Sequence, residues 1–183
     1  QTILMPFVTL GSLINFCDVL MAGGTGADNH SEVGSSYIHF NFTPHQDKAT
    51  ASLMGDVARG VFLDRNPIFL GGQGGMVGPC RVAYGTVVAA GSVLRRDVLD
   101  EDRLVLSPTG QGFSQRPYNA KAYTGNINRI VGNCLVYIGN IMALRAWYRH
   151  FRLPAMGGSA CGHACCEGAL KRFDEVWAER VKR

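Results

Sequence analysis

Charge is scarce in this chain of 183 residues: only 17% are Asp, Glu, Lys or Arg, while 46% are hydrophobic. A disordered chain needs the opposite balance, so the composition predicts a folded protein. Long apolar runs are also missing. The best candidate, 134–144, is well short of the roughly 20 residues a membrane-crossing helix requires, and it contains Tyr137 and Asn140. No dense basic stripe exists either. The net charge of +4 lies wholly in 143–183, where eight basic residues face four acidic ones; 1–142 carry ten of each. That pattern describes the solvated face of a helix and excludes a nucleic-acid footprint. The six cysteines (17, 80, 134, 161, 165 and 166) are too sparse for a disulfide scaffold, and no signal peptide precedes them, so a reducing cytoplasm is expected. The chain opens at Gln1 inside a strand-like segment, which reads as a piece of something longer.

Glycine, by contrast, is plentiful at 23, without the strict third-residue period of collagen. The stretch 69–98, FLGGQGGMVGPCRVAYGTVVAAGSVLRRDV, explains it. Leu70, Met76, Val82, Val88 and Leu94 recur every sixth residue. Gly71, Val77, Ala83, Ala89 and Arg95 follow in step, and Gly72, Gly78, Gly85 and Gly91 mark the turns. A period of six is neither helical nor that of a simple strand. It marks a parallel β-helix, in which each hexad supplies one short strand and one turn. The Gly71–Gly75 run therefore belongs to turns and not to a phosphate loop, since no Lys-Ser/Thr follows it.

The phase runs backward less cleanly, through the pairs Ile14/Leu20 and Val33/His39. TPHQDKATAS, before Leu53, breaks it and reads as an extruded loop. Turn-rich sequence follows Val98. Ile127, Ile130, Val131, Cys134, Ile138, Ile141 and Met142 then take helical spacing up to Leu153-Pro154, and a second helix is expected over 165–181 with Leu170, Phe173, Val176 and Trp177 on its apolar face. The expected organisation is a β-helix over 1–106 with a loop near 43–52, a linker over 107–117 and a helical hairpin over 118–183.

The run 69–98 and the earlier YIHFNFTPHQDKAT resemble the left-handed β-helix domain of bacterial bifunctional UDP-N-acetylglucosamine pyrophosphorylase/glucosamine-1-phosphate N-acetyltransferases. The resemblance spans about 10–98, and the helical tail lies outside it. It implies an all-β left-handed parallel β-helix with a C-terminal α-helical hairpin appended, assembled as a homotrimer. It also implies acetyl-CoA as acyl donor, an amino-sugar phosphate or nucleotide sugar as the other ligand, and neither membrane nor nucleic acid as partner. Transfer of acetyl to an amine needs a base for the ammonium proton and a donor for the tetrahedral oxyanion. The resemblance places Asn41 as the oxyanion-stabilising group and His30 as the candidate base. His39, His45 and Lys48 become substrate-binding candidates, and Gly72, Ala89 and Arg95 cofactor-binding candidates, with Arg81 and Arg96 as further phosphate-facing cations.

The chain departs from the family at two of these places. Phe42 stands where the family has tyrosine, and Gly72 where it has serine. The alternative reading is a non-catalytic trimerisation or ligand-sensing β-helix of a UDP-sugar pyrophosphorylase-like protein. No metal site is expected. The histidines lack a zinc framework, and Cys161, His163, Cys165 and Cys166 are packed too closely for a zinc finger.

Overall fold

A computed structural model describes residues 1–41, 50–107 and 127–182. They form two compact units, 1–134 and 135–183.

The first unit is built from short parallel strands in three sheets. The chain visits the sheets in rotation. β1 (Thr2–Leu4), β4 (Val19–Met21), β7 (Ser52–Met54) and β10 (Arg81–Val82) make sheet A. β2 (Val8–Leu10), β5 (Ser31–Val33), β8 (Phe69–Leu70), β11 (Val87–Val88) and β13 (Leu104–Val105) make sheet B. β3 (Asn15–Phe16), β6 (Ile38–Phe40), β9 (Gly75–Val77) and β12 (Val93–Leu94) make sheet C. This is a β-helix-like fold, and the hexad register explains it. Val33, Leu70 and Val88 stack in sheet B, His39, Met76 and Leu94 in sheet C, Met21, Met54 and Val82 in sheet A. All are buried. Five of them are the every-sixth residues of the sequence.

Each strand buries a second side chain two residues earlier, because alternate strand positions face the same way. That position holds Gly74, Cys80, Thr86 and Ser92, again six apart, and in earlier coils Ser31 and Ser52. These small groups do more than fill space. Ser31 Oγ accepts from the Ile68 amide, Ser52 Oγ from the Cys80 amide and Ser92 Oγ from the Ser107 amide. Each satisfies a corner donor that no strand partner reaches, where an unpaired buried amide is costly. Turn glycine is required where predicted at Gly85. Its φ is +69°, and a Cβ there would lie 1.9 Å from Asp102 Oδ1.

The register differs from the sequence reading at one place. Met21, and not Leu20, stacks with Met54 and Val82; Leu20 pairs with Leu53, and Leu53 with Arg81, in the alternate row of sheet A. The three-residue spacing from Phe16 to Val19 shortens that corner, so the six-residue count slips there. Two other elements were not anticipated. A short helix, α1 (Val57–Phe62), is inserted at the corner between sheets A and B; Asp56 caps it by accepting from the Ala58 amide at 2.9 Å. The expected loop also closes before 52, since Ser52 already starts β7 and Thr50 and Ala51 are buried. The 107–117 linker lies outside the described residues beyond Ser107.

α2 (Ile127–Trp147) begins in the first unit and ends in the second. Its early turns reach the corner between sheets C and A: Asn133 Nδ2 donates to the Pro79 carbonyl at 3.4 Å. The helical run ends at Ala155, one residue beyond the expected stop at Leu153-Pro154. A π-type stretch, Tyr148–Arg152, leads into one further turn, α3 (Leu153–Ala155). The Leu153 amide bonds back to the Tyr148 carbonyl, five residues away. Widening the helix there lets it pass a proline that has no N–H and whose ring crowds the preceding turn. The helical run 127–155 is long and apolar enough to cross a membrane by length and composition, with 22% of its most apolar window buried. No unbroken apolar run marks it in the sequence, because Asn133 and Asn140 interrupt the run without lowering its mean much.

In the second unit, α4 (Ala160–Val181) starts five residues earlier than expected, where Ser159 caps it by accepting from the Gly162 amide. Its expected apolar face holds, with Phe173 and Val176 buried. Along α2 the buried hydrophobic residues are Tyr137, Ile141 and Leu144, whereas Ile127, Val131 and Met142 are exposed. α2 is apolar on several sides, so spacing alone did not identify the covered side. Arg180 stacks over the Tyr137 ring, 5.5 Å from its centroid, and Arg145 Nε meets Asp174 Oδ1 at 2.6 Å.

Candidate functional site

A polar network that joins three side chains inside the coil gathers at the corner between sheets C and A. The expected loop, near 43–52, lies outside the described residues up to residue 49. β6 carries His39 inward, and β7 carries Ser52 inward. The coil winding brings His39 Nε2 to 2.8 Å from Ser52 Oγ, with both residues fully buried. Ser52 Oγ also accepts from the Cys80 amide at 3.0 Å and lies 3.3 Å from Asn41 Oδ1. Asn41 Nδ2 donates to the carbonyls of Cys17 (3.1 Å) and Asp18 (2.7 Å) in the preceding coil. Gly78 closes the space: a Cβ on it would fall 2.0 Å from Asn41 Oδ1 and 2.5 Å from Ser52 Oγ.

Burial dominates the electrostatics. It pulls the His39 imidazole down to about 4, against a smaller upward effect from the Cys17 backbone. The ring is thus neutral at pH 7. Cys80 is buried beside this network, with its thiol pushed up to about 11, first by burial. Arg129 of α2 and Asp97 form an ion pair at 3.7 Å at the same corner, and the Arg81 amide donates to Asp97 at 2.9 Å.

The arrangement looks like a serine–histidine pair but cannot act as one on a ligand. Neither Ser52 nor His39 touches solvent, and both hydrogens of the Asn41 amide are engaged by backbone carbonyls. The network joins consecutive coils at a corner where a 10-residue excursion leaves the repeat between 41 and 52.

The other candidates are dispersed. His30 precedes β5 at the corner between sheets A and B, with Nδ1 3.4 Å from the Ser31 carbonyl. It therefore sits a full sheet away from Asn41. Gly72 and Ala89 follow β8 and β11 at the corner between sheets B and C, on successive coils, where the Gly91 amide donates to the Gly72 carbonyl. Arg95 follows β12 and is exposed, at the same corner as Asn41 but two coils further on. His45 and Lys48 lie outside the described residues. Among the described residues, no group of three His, Cys, Asp or Glu is placed to hold a metal.

The sequence reading missed Ser52, Cys80, Asp97 and Arg129. Cys80 was visible in the second six-residue row; Ser52 falls out of that phase, and Asp97 and Arg129 carried no periodic signal. The fold defines the class as β-helix-like. Beyond that, the chain matches no known protein family, no curated protein and no solved structure.

Proposed function

We propose that this chain is a left-handed β-helix whose work is to assemble a homotrimer, as the non-catalytic part of a UDP-sugar pyrophosphorylase-like protein, with its two long C-terminal helices forming a hairpin. The observation that carries this reading is the outward side of sheet C. Asn15, Ile38, Gly75 and Val93 align there across four coils, with Phe40 and Val77 paired beside them. No charge interrupts that surface before Arg95, and Ile38 and Phe40 are 44% and 47% exposed. A flat, uncharged sheet face of this kind favours burial against copies of itself, and closed rotational symmetry satisfies every copy at once. Sheet B is less suited, because Glu32 sits in its outward row between Thr9 and Phe69. The ion pair Arg145–Asp174 and the buried Arg180 over Tyr137 support reading α2 as a helix packed against protein and not lipid. Chemical cross-linking of the purified chain, resolved by mass, tests the assembly: trimers support it and a ladder without a dominant trimer opposes it.

Acetyl transfer from acetyl-CoA to an amino-sugar phosphate is the second reading. Arg95 and Arg96, both exposed after β12 at the corner between sheets C and A, favour it, since guanidinium groups suit bidentate phosphate contacts. Release of free thiol from acetyl-CoA with glucosamine-1-phosphate would establish it. The sealed His39 and the engaged Asn41 amide weigh against it, and no release is expected.

A further inference from the structure

The start of α4 holds a group of sulfur atoms that no role above uses. Cys161 and Cys165 are four residues apart on this helix, so their side chains are neighbours on one side of it. Both are exposed and both are free thiols. A third sulfur comes from the preceding turn. Met156 Sδ lies over the same first turn of α4, where it would be 3.0 Å from a Cβ at Gly162. Its backbone is fixed, because the Met156 carbonyl accepts from the Ser159 amide at 2.9 Å. The cluster's remaining members do not converge on this side. Cys166 is buried, and His163 Nδ1 faces the Glu167 carboxylate at 3.7 Å.

Two thiolates with a thioether beside them suit a soft, low-coordinate cation and not structural zinc, which takes four ligands in a tetrahedron. We propose that Cys161 and Cys165, with Met156 as a weaker third donor, bind a soft monovalent cation of the Cu(I) type. On binding, each thiol gives its proton to solvent as the sulfur–metal bond forms, and the metal keeps its oxidation state.

The test is anaerobic titration of the reduced full chain with Cu(I) in competition with bathocuproine disulfonate. The wild-type chain is expected to withdraw one equivalent of copper from the chelator. Cys161→Ser/Cys165→Ser is expected to weaken that competition at least 100-fold and Met156→Leu several-fold, while Cys166→Ser leaves it unchanged. Circular dichroism separates loss of the site from loss of α4. Equal competition by the wild type and the double serine variant, or no competition by a folded wild type, overturns the proposal.

Discussion

His39 Nε2 and Ser52 Oγ meet at 2.8 Å in the sealed interior of the coil, one from each side of a corner. The contact is the centre of a network that replaces the plain aliphatic stack of later coils. It ties stability to pH in a calculable direction. The folded imidazole titrates at about 4 and an unfolded one near its ordinary 6.5. Between those values the unfolded chain binds more protons, so stability rises with pH through that window and is level above it. Urea unfolding at pH 7 and pH 5 should therefore differ by roughly 2 kcal/mol in favour of pH 7. His39→Gln should abolish most of that difference, because glutamine carries no titrating group. An unchanged difference in the variant would assign the acid sensitivity elsewhere.

Ser52→Ala removes the acceptor of the Cys80 amide and the partner of His39 together. Two buried polar groups are left unpaired, so a loss of about 2–4 kcal/mol is expected by chemical denaturation. Gly78→Ala should cost at least as much, because its Cβ would overlap Asn41 Oδ1 and Ser52 Oγ. Neither variant is expected to gain or lose a ligand.

Asn41→Asp distinguishes a structural amide from a catalytic one. The aspartate would turn a carboxylate oxygen toward the Cys17 and Asp18 carbonyls in place of two donated hydrogens. It should therefore lower the melting temperature more than Asn41→Ala does. An aspartate variant as stable as the wild type would show that the amide is not engaged as described.

The hexads predict a sharp inside–outside contrast. Leu70→Ala in the coil interior should cost about 2–5 kcal/mol, whereas Val87→Ala, 40% exposed on sheet B, should cost under about 1 kcal/mol. Similar losses at both positions would contradict the register.

The unequal legibility of the chain has a physical origin. Leu70 to Leu94 could be read directly, because one large aliphatic side chain per hexad is what a narrow coil core demands. The second row, Gly74, Cys80, Thr86 and Ser92, was equally periodic but chemically mixed, and a search for apolar residues passes over it. α1 was hidden because a six-residue helix anchored by Asp56, with Tyr84 Oη donating to the Asp56 carbonyl, shows little helical period of its own. The candidate site was harder still. Asn41 and Ser52 are 11 apart and Asn41 and Cys17 are 24 apart in the chain, and only the coil winding brings them together. His39 sat in core phase from the outset; its burial shows why that phase outweighs its chemistry as a candidate ligand.

Sedimentation equilibrium of the wild-type chain beside Ile38→Lys/Phe40→Lys tests the assembly claim most directly. The wild type should sediment at three times the 19.8 kDa chain mass, and the double lysine variant, which places charge on the outward side of sheet C without touching the coil interior, at the mass of one chain. A wild type at the mass of a single chain, or a variant that stays trimeric, would contradict the account.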